Sequence, residues 1–347
     1  SSSSAASDVY KRQALWDMKQ TNISVFIPHY GCTHICSFCN QKTISGHSEP
    51  VTEKELESIL EGQLENLKDS GTKAQIAFFG GSFTAIDRDY MIRLLTVAKR
   101  YTDAYPEQYD GIRCSTRPDC IDEEILGILK SYGMTAIELG AQSMNDEVLT
   151  ANRRGHTAQD VRRASRLIKQ SGFELGLQMM TGLYKDTEQY CIDTAKEFIA
   201  LHCDTVRIYP TVILKNTELG RLHESGVYDS FTFEQTTRLC AKLLDMFNKA
   251  GVAVIRMGLH ASRDVEQEMI GGVYHPALRE IAESILYLEK MNAVCEDGGK
   301  YVFYTDKRNI SKIIGQGGAN RNALSQRGIS FKIKEEKGTD FRAERIG

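Results

Sequence analysis

Three cysteines fall within eight residues of one another, as Cys32-x3-Cys36-x2-Cys39. Thiolates so closely spaced on one loop can hold three corners of a cubane iron-sulfur cluster, whereas a fully cysteine-held cluster takes a fourth. The missing ligand leaves one iron open to chelation by a small molecule, for which an amino group beside a carboxylate is suited. His34 offers another reading, a Cys3His zinc site, although zinc ligands usually come as pairs from two separated segments. The other six cysteines (Cys114, Cys120, Cys191, Cys203, Cys240, Cys295) are scattered singly. They read as small buried hydrophobes of a core.

The remaining chemistry-bearing segments follow a pattern. GCTHICSFCN, GGSFT, STRPD, GAQS, TGLY and the Tyr209-Pro210 pair each come directly after a β-branched run. The spacing predicts strands at NISVFIP, Ala74 to Phe79, Gly111 to Ser115, Thr135 to Leu139, Phe173 to Met180 and Thr205 to Tyr209. Amphipathic stretches predict helices at Thr52 to Asp69, after Asp87, and at Asp122 to Tyr132, Thr157 to Ser171, Thr187 to Leu201 and Phe233 to Lys249. Six strand-then-helix units imply right-handed crossovers and a parallel sheet, hence an α/β fold with a partial (β/α)6 TIM-type barrel. A doubly wound sheet is disfavoured because GxGxxG is missing after the first strand. In a parallel sheet all six segments share the carboxyl face and converge on one site.

Composition narrows the class. The chain has 347 residues, 41% hydrophobic and 26% charged, with net charge -3. That excludes a disordered chain and a polycation that coats nucleic acid or membrane overall. No run approaches a membrane span or a signal-peptide core, so a cytoplasmic location without membrane is expected. The opening segment reads as a non-native or disordered leader over 1–17, with Met18 as the expected native start.

The triad at the end of the first strand, followed by Gly-Gly ending the second, resembles the radical S-adenosylmethionine superfamily. The resemblance implies a 4Fe-4S cluster on Cys32, Cys36 and Cys39 and S-adenosylmethionine as second cofactor. It implies that Phe38 packs by the adenine and that Gly80, Gly81 and Ser82 bond the methionine amino group through backbone. Two glycines ending a strand also suit close approach of a ligand to the main chain. RPD (Arg117 to Asp119), ELGAQS (Glu138 to Ser143), NRRGHT (Asn152 to Thr157) and RIYPT (Arg207 to Thr211) are similar to the Elongator catalytic-subunit family. That likeness implies transfer RNA, modified at the wobble uridine, as substrate, and an electron donor such as flavodoxin or ferredoxin. It stops before the acetyltransferase domain, so a short form is expected. An oxygen-independent coproporphyrinogen oxidase-like enzyme and a non-catalytic zinc- and RNA-binding protein are the alternatives.

Two buried polar positions stay open. Glu138 ends an apolar strand, where its carboxylate needs donors: the ribose hydroxyls of a bound nucleoside, or an arginine within the barrel. Gln178 carries the same two readings. His156 serves either a substrate or the helix beginning at Thr157.

The C-terminal segment differs in character. From Lys300 onward 11 basic residues face 5 acidic ones, so the tail is +6 and the rest -9. YVFY and ISFKIK read as strands, NISKII and ANRNALSQ as helices. IIGQGG between those helices resembles the KH module, whose GxxG loop, here Gly315 to Gly318, clamps single-stranded nucleic acid. Lys312 and Arg321 flank that loop as candidate RNA-binding residues. The expected organisation is a barrel over 18–258, a helical extension over 259–295 and a small α+β basic module over 296–347.

Overall fold

The computed structural model describes residues 21–27, 36–40, 50–260 and 263–347. The expected leader, Cys32 and His34 lie outside the described residues. In chain order the elements are β1 (Thr21–Ile27), α1 (Glu53–Ser70), β2 (Ala74–Gly80), α2 (Arg88–Ala104), β3 (Tyr109–Thr116), α3 (Glu123–Ser131) and β4 (Met134–Gln142). There follow α4 (Asp146–Ala151), α5 (Ala158–Gln170), β5 (Glu174–Thr181), α6 (Glu188–Ala200), β6 (Thr205–Pro210), β7 (Val212–Leu214), α7 (Glu218–Glu224), α8 (Phe233–Lys249) and β8 (Ala253–Met257). The chain ends with α9 (Arg263–Glu268), β9 (Met269–Gly272), α10 (Leu278–Val294), β10 (Lys300–Thr305), α11 (Ile310–Ile314), α12 (Ala319–Gln326), β11 (Ser330–Glu335) and β12 (Arg342–Arg345).

Local chemistry sets the long helices. Thr52 and Glu55, Thr157 and Asp160, and Thr232 and Gln235 form reciprocal capping boxes at the starts of α1, α5 and α8, each satisfying two otherwise orphaned amides. Strands β1-β2-β3-β4-β5-β6-β8 form one parallel sheet in that order. In β1 the alternate residues Ile23, Val25 and Ile27 are buried in the main core with Leu56 and Leu60 of α1. Asn22 and Ser24 take the opposite face, towards the lumen. The result is an open half-barrel with its helices outside and all strand carboxyl ends at one mouth.

The sheet has seven strands where six are expected. Ala253–Met257 is an apolar run too short to be told from a helix continuation by periodicity alone. Within 259–295, expected to be helical, β9 pairs antiparallel with β7, Val212 opposite Gly272. Its two glycines, Gly271 and Gly272, give no strand signal in sequence.

The C-terminal sheet has the order β11-β10-β12, with β10 parallel to β11 and antiparallel to β12. Its core comprises Tyr301, Phe303, Ile313, Leu324 and Ile329 packed on Tyr287 and Met291 of α10. The same helix buries Leu278 and Ala282 in the barrel core, so α10 is shared between the two. No helix among the described residues is long and apolar enough to cross a membrane.

Candidate functional site

The cysteine loop is pinned to the mouth by its neighbours. Ser37 Oγ donates to Asn152 Oδ1 at 2.8 Å, and Asn152 Nδ2 donates to the carbonyls of Val148 and Tyr184. The Ser37 amide reaches the Asn152 carbonyl, and the Leu219 amide of α7 reaches the Ser37 carbonyl. Cys36 is buried and Cys39 half-buried. Arg154, 6% exposed, does most to orient the loop. Its Nη1 donates to Cys36 Sγ at 2.9 Å, its Nη2 donates to the Gly140 carbonyl, and its guanidinium lies 5.9 Å from the Phe38 ring centroid. Arg117 pairs bidentately with Asp119 at 2.9 and 3.0 Å and donates to the Arg154 carbonyl. The RPD and NRRGHT segments thus lock together behind the cysteines. Arg154 as an individual residue escaped the sequence reading, because its partner lies 118 residues away. The only signal was two arginines in the loop between α4 and α5.

Around the mouth several buried polar atoms lack a partner: Gln142 Oε1, Arg154 Nε, His156 Nδ1 and Thr181 Oγ1. His156 Nε2 lies 3.2 Å from the Ala141 carbonyl and donates to it, which leaves Nδ1 as a bare acceptor. Burial, aided by the Arg154 charge, pushes the imidazole down to about 4, so it is neutral at pH 7. Gln142 sits at φ +66°, where the register between β4 and β5 shifts. A sulfur ligand beside guanidinium donors, with unsatisfied donors and acceptors around it, fits a thiolate-held cluster carrying a polar ligand.

Gly80 ends β2, exposed, at φ +106°, and a Cβ there would stand 2.8 Å from the Ile27 carbonyl oxygen. The Gly81 amide donates to that oxygen at 2.7 Å. Ser82 is buried, and Phe83 stacks on Phe78 with centroids 4.5 Å apart, fixing the turn. GGSFT therefore adjoins the end of β1, from which the cysteine loop departs. Phe38 packs beside Ile213 and Leu219.

Deeper in the lumen, Glu138 accepts from Arg207 Nε at 2.5 Å and Nη2 at 2.9 Å and from Gln178 Nε2 at 3.1 Å, and lies 3.1 Å from Arg113 Nε. Of the two expectations for Glu138, the structure displays the arginine pair. Gln178 also donates to Ser115 Oγ at 3.2 Å. Burial alone would raise the Glu138 carboxyl, but Arg207 and Arg113 outweigh it and hold the group below its ordinary range. The sheet brings these residues together: Arg207 is level with Gln178, and Ser115 with Glu138.

In the C-terminal module the GQGG segment joins α11 to α12 as expected. Gly315 is at φ +81°, and a Cβ would meet the Asn320 amide nitrogen at 2.7 Å, whereas Gly317 and Gly318, also left-handed, face open space. Lys312 is not a free flank of the loop. Its Nζ pairs with Glu283 of α10 at 2.9 Å. Arg321 is exposed, its guanidinium 5.4 Å from the Phe331 ring centroid.

Residues 26–198 match the family described as the Radical SAM superfamily, and residues 203–289 the Radical_SAM C-terminal domain. Elongator complex protein 3 of Danio rerio is 30% identical over 259 residues, 68% of this chain and 45% of that protein, and that of Homo sapiens gives the same figures. The chain spans less than half the length of these curated relatives. Among solved structures, the archaeal Methanocaldococcus infernus Elp3 with an N-terminal deletion aligns with a TM-score of 0.61 at 20% identity, covering 80% of this chain and 64% of that one. At such identity the likeness is one of fold.

Proposed function

Because the chain belongs to the radical S-adenosylmethionine superfamily, we propose that it is a cytoplasmic enzyme that modifies transfer RNA, at the wobble uridine, by radical chemistry. Its cofactors are those of the superfamily, a 4Fe-4S cluster and S-adenosylmethionine. Reduced by an electron donor such as flavodoxin or ferredoxin, that pair would supply hydrogen abstraction of the 5′-deoxyadenosyl-radical kind. The chain's own residues hold and shield. Cys32, Cys36 and Cys39 would hold the cluster. Arg154 fixes the Cys36 sulfur, and the Ser37–Asn152 pair fixes the loop backbone. Gly80, Gly81, Ser82 and Phe38 take the methionine and adenine ends of the cofactor. Glu138 and Gln178, with Arg207, floor the site and position its polar groups. The observation that carries this reading is the bond from Arg154 to Cys36 Sγ, made at the mouth of a parallel half-barrel.

The RNA half rests on the module. The order β10-α11-GQGG-α12-β11, with an open glycine loop between two helices and a charge of +6, supports a KH-like clamp around Gly315 and Gly318, with Arg321 on its flank. Kinship with Elongator complex protein 3 supports transfer RNA as the ligand. Anaerobic reconstitution followed by a deoxyadenosine assay, with and without bulk transfer RNA, tests both halves. Transfer RNA is expected to bind and to become modified. A reconstituted protein that ignores RNA sinks the substrate assignment.

A further inference from the structure

A cavity of about 260 Å³ opens along the lumen between the two edge strands, lined by Asn22 and Ser24 of β1, Phe79, Arg113, Arg207 and Arg256 of β8. Its charges do not balance. Arg113 and Arg207, 1% and 8% exposed, share the one carboxylate of Glu138. Glu174 adds only a longer contact, its Oε1 accepting from Arg113 Nη2 at 3.5 Å. Arg256 has no acidic partner among the described residues; its Nε donates to the Gly258 carbonyl at 3.0 Å. Three guanidiniums thus share two carboxylates, with Arg256 paired to neither, in a partly desolvated space, an arrangement that is costly unless an anion completes it.

Two unsatisfied atoms add direction. Arg113 Nε–H lies near Glu138 but makes no hydrogen bond, and Asn22 Oδ1 is buried without a donor. Phe79 supplies an apolar wall, its ring centroid 5.1 Å from the Arg207 guanidinium carbon. We propose that this cavity binds an anionic group, phosphate or carboxylate, held by Arg256 and Arg113, with a neighbouring hydroxyl or amine donating to Asn22. The volume lies below the roughly 300–1,000 Å³ of sites that enclose a whole ligand, so it takes one end of a larger molecule. Its meaning as the anionic end of the substrate rests on the radical-enzyme reading; the binding itself does not.

The test uses the full reconstituted chain and inorganic phosphate as probe, by calorimetry at constant ionic strength set with chloride. Saturable binding is expected, at least tenfold weaker in Arg256→Met. Ser24→Asp, which places a carboxylate at the cavity rim, is expected to abolish it and covers the case that Arg256→Met fails to fold. Competition identifies the source: displacement by a short RNA oligonucleotide assigns a backbone phosphate, and displacement by malonate alone assigns a small organic acid. Either supports the site. Absence of saturable phosphate binding in the parent, or equal affinity in both variants, overturns it. Iron content and deoxyadenosine formation, measured on the same samples, separate that failure from failure of the radical-enzyme reading.

Discussion

The barrel and the C-terminal module use charge in opposite ways. In the lumen Glu138 and Arg113 are each 1% exposed, and one carboxylate is shared by two guanidiniums. In the module many ion pairs are at the surface, as with Arg342 and Glu336, whose side chains are 48% and 40% exposed. Buried pairs fix geometry, because breaking one leaves an uncompensated charge in a poor solvent. Surface charges act at a distance and are screened by salt. The barrel therefore suits chemistry that needs positioned atoms, and the module carries the surface charge on which the RNA-binding proposal rests.

The sharpest break between the regions is iron. Cys36→Ala is expected to abolish the roughly four irons per chain of a cubane, while Cys240→Ala, in the helical core, and Cys295→Ala, in the module, keep them. Iron retained in Cys36→Ala would remove the cysteine loop from the account. Glu138→Ala comes next. It strands Arg113 and Arg207 and is expected to cost about 3–5 kcal/mol in denaturant unfolding, whereas Arg342→Ala should leave the melting temperature unchanged. Comparable losses in both would dissolve the contrast.

The same pair predicts a pH dependence. Glu138 has a lowered carboxyl pKa in the folded state, so its stabilisation is fully present above the ordinary carboxylate range. It is lost as pH falls through the folded value. Acid unfolding of the parent should therefore be steeper than that of Glu138→Gln. Identical acid limbs would show that another group controls it.

How much of this was legible beforehand varies with the distance over which residues interact. The helix starts at Thr52 and Thr157 are set by local chemistry, and the helices begin one residue beyond those threonines. The mouth was legible because parallel strands put every strand-end loop on one face. The lumen network was only half legible. Glu138 and Arg207 stand out as charges in apolar strands, but their meeting depends on the register across β4, β5 and β6. Arg113 looked like any strand residue. The β7–β9 pair escaped because three residues at 212–214 meet a partner nearly sixty residues on. Lys312 shows the reverse failure: its charge suggested a phosphate contact, and tertiary packing gives it to Glu283.

The smallest effect sharpens the module's side. Gln316→Asp with Gly317→Asp puts two acids on a loop with open space around it. Transfer RNA affinity is expected to fall about tenfold at moderate salt and its salt dependence to flatten, since fewer counterions are released. Iron content should not change. Unaltered affinity and slope would move RNA binding away from the GQGG loop.

The central claim is that the mouth of this half-barrel holds a reducible cluster with S-adenosylmethionine. Its most direct test is formation of 5′-deoxyadenosine by the anaerobically reconstituted, reduced chain, followed beside zinc and iron content. The account predicts deoxyadenosine in the parent, about four irons, and neither in Cys36→Ala or Cys39→Ala. Stoichiometric zinc, no iron uptake and no deoxyadenosine would contradict it.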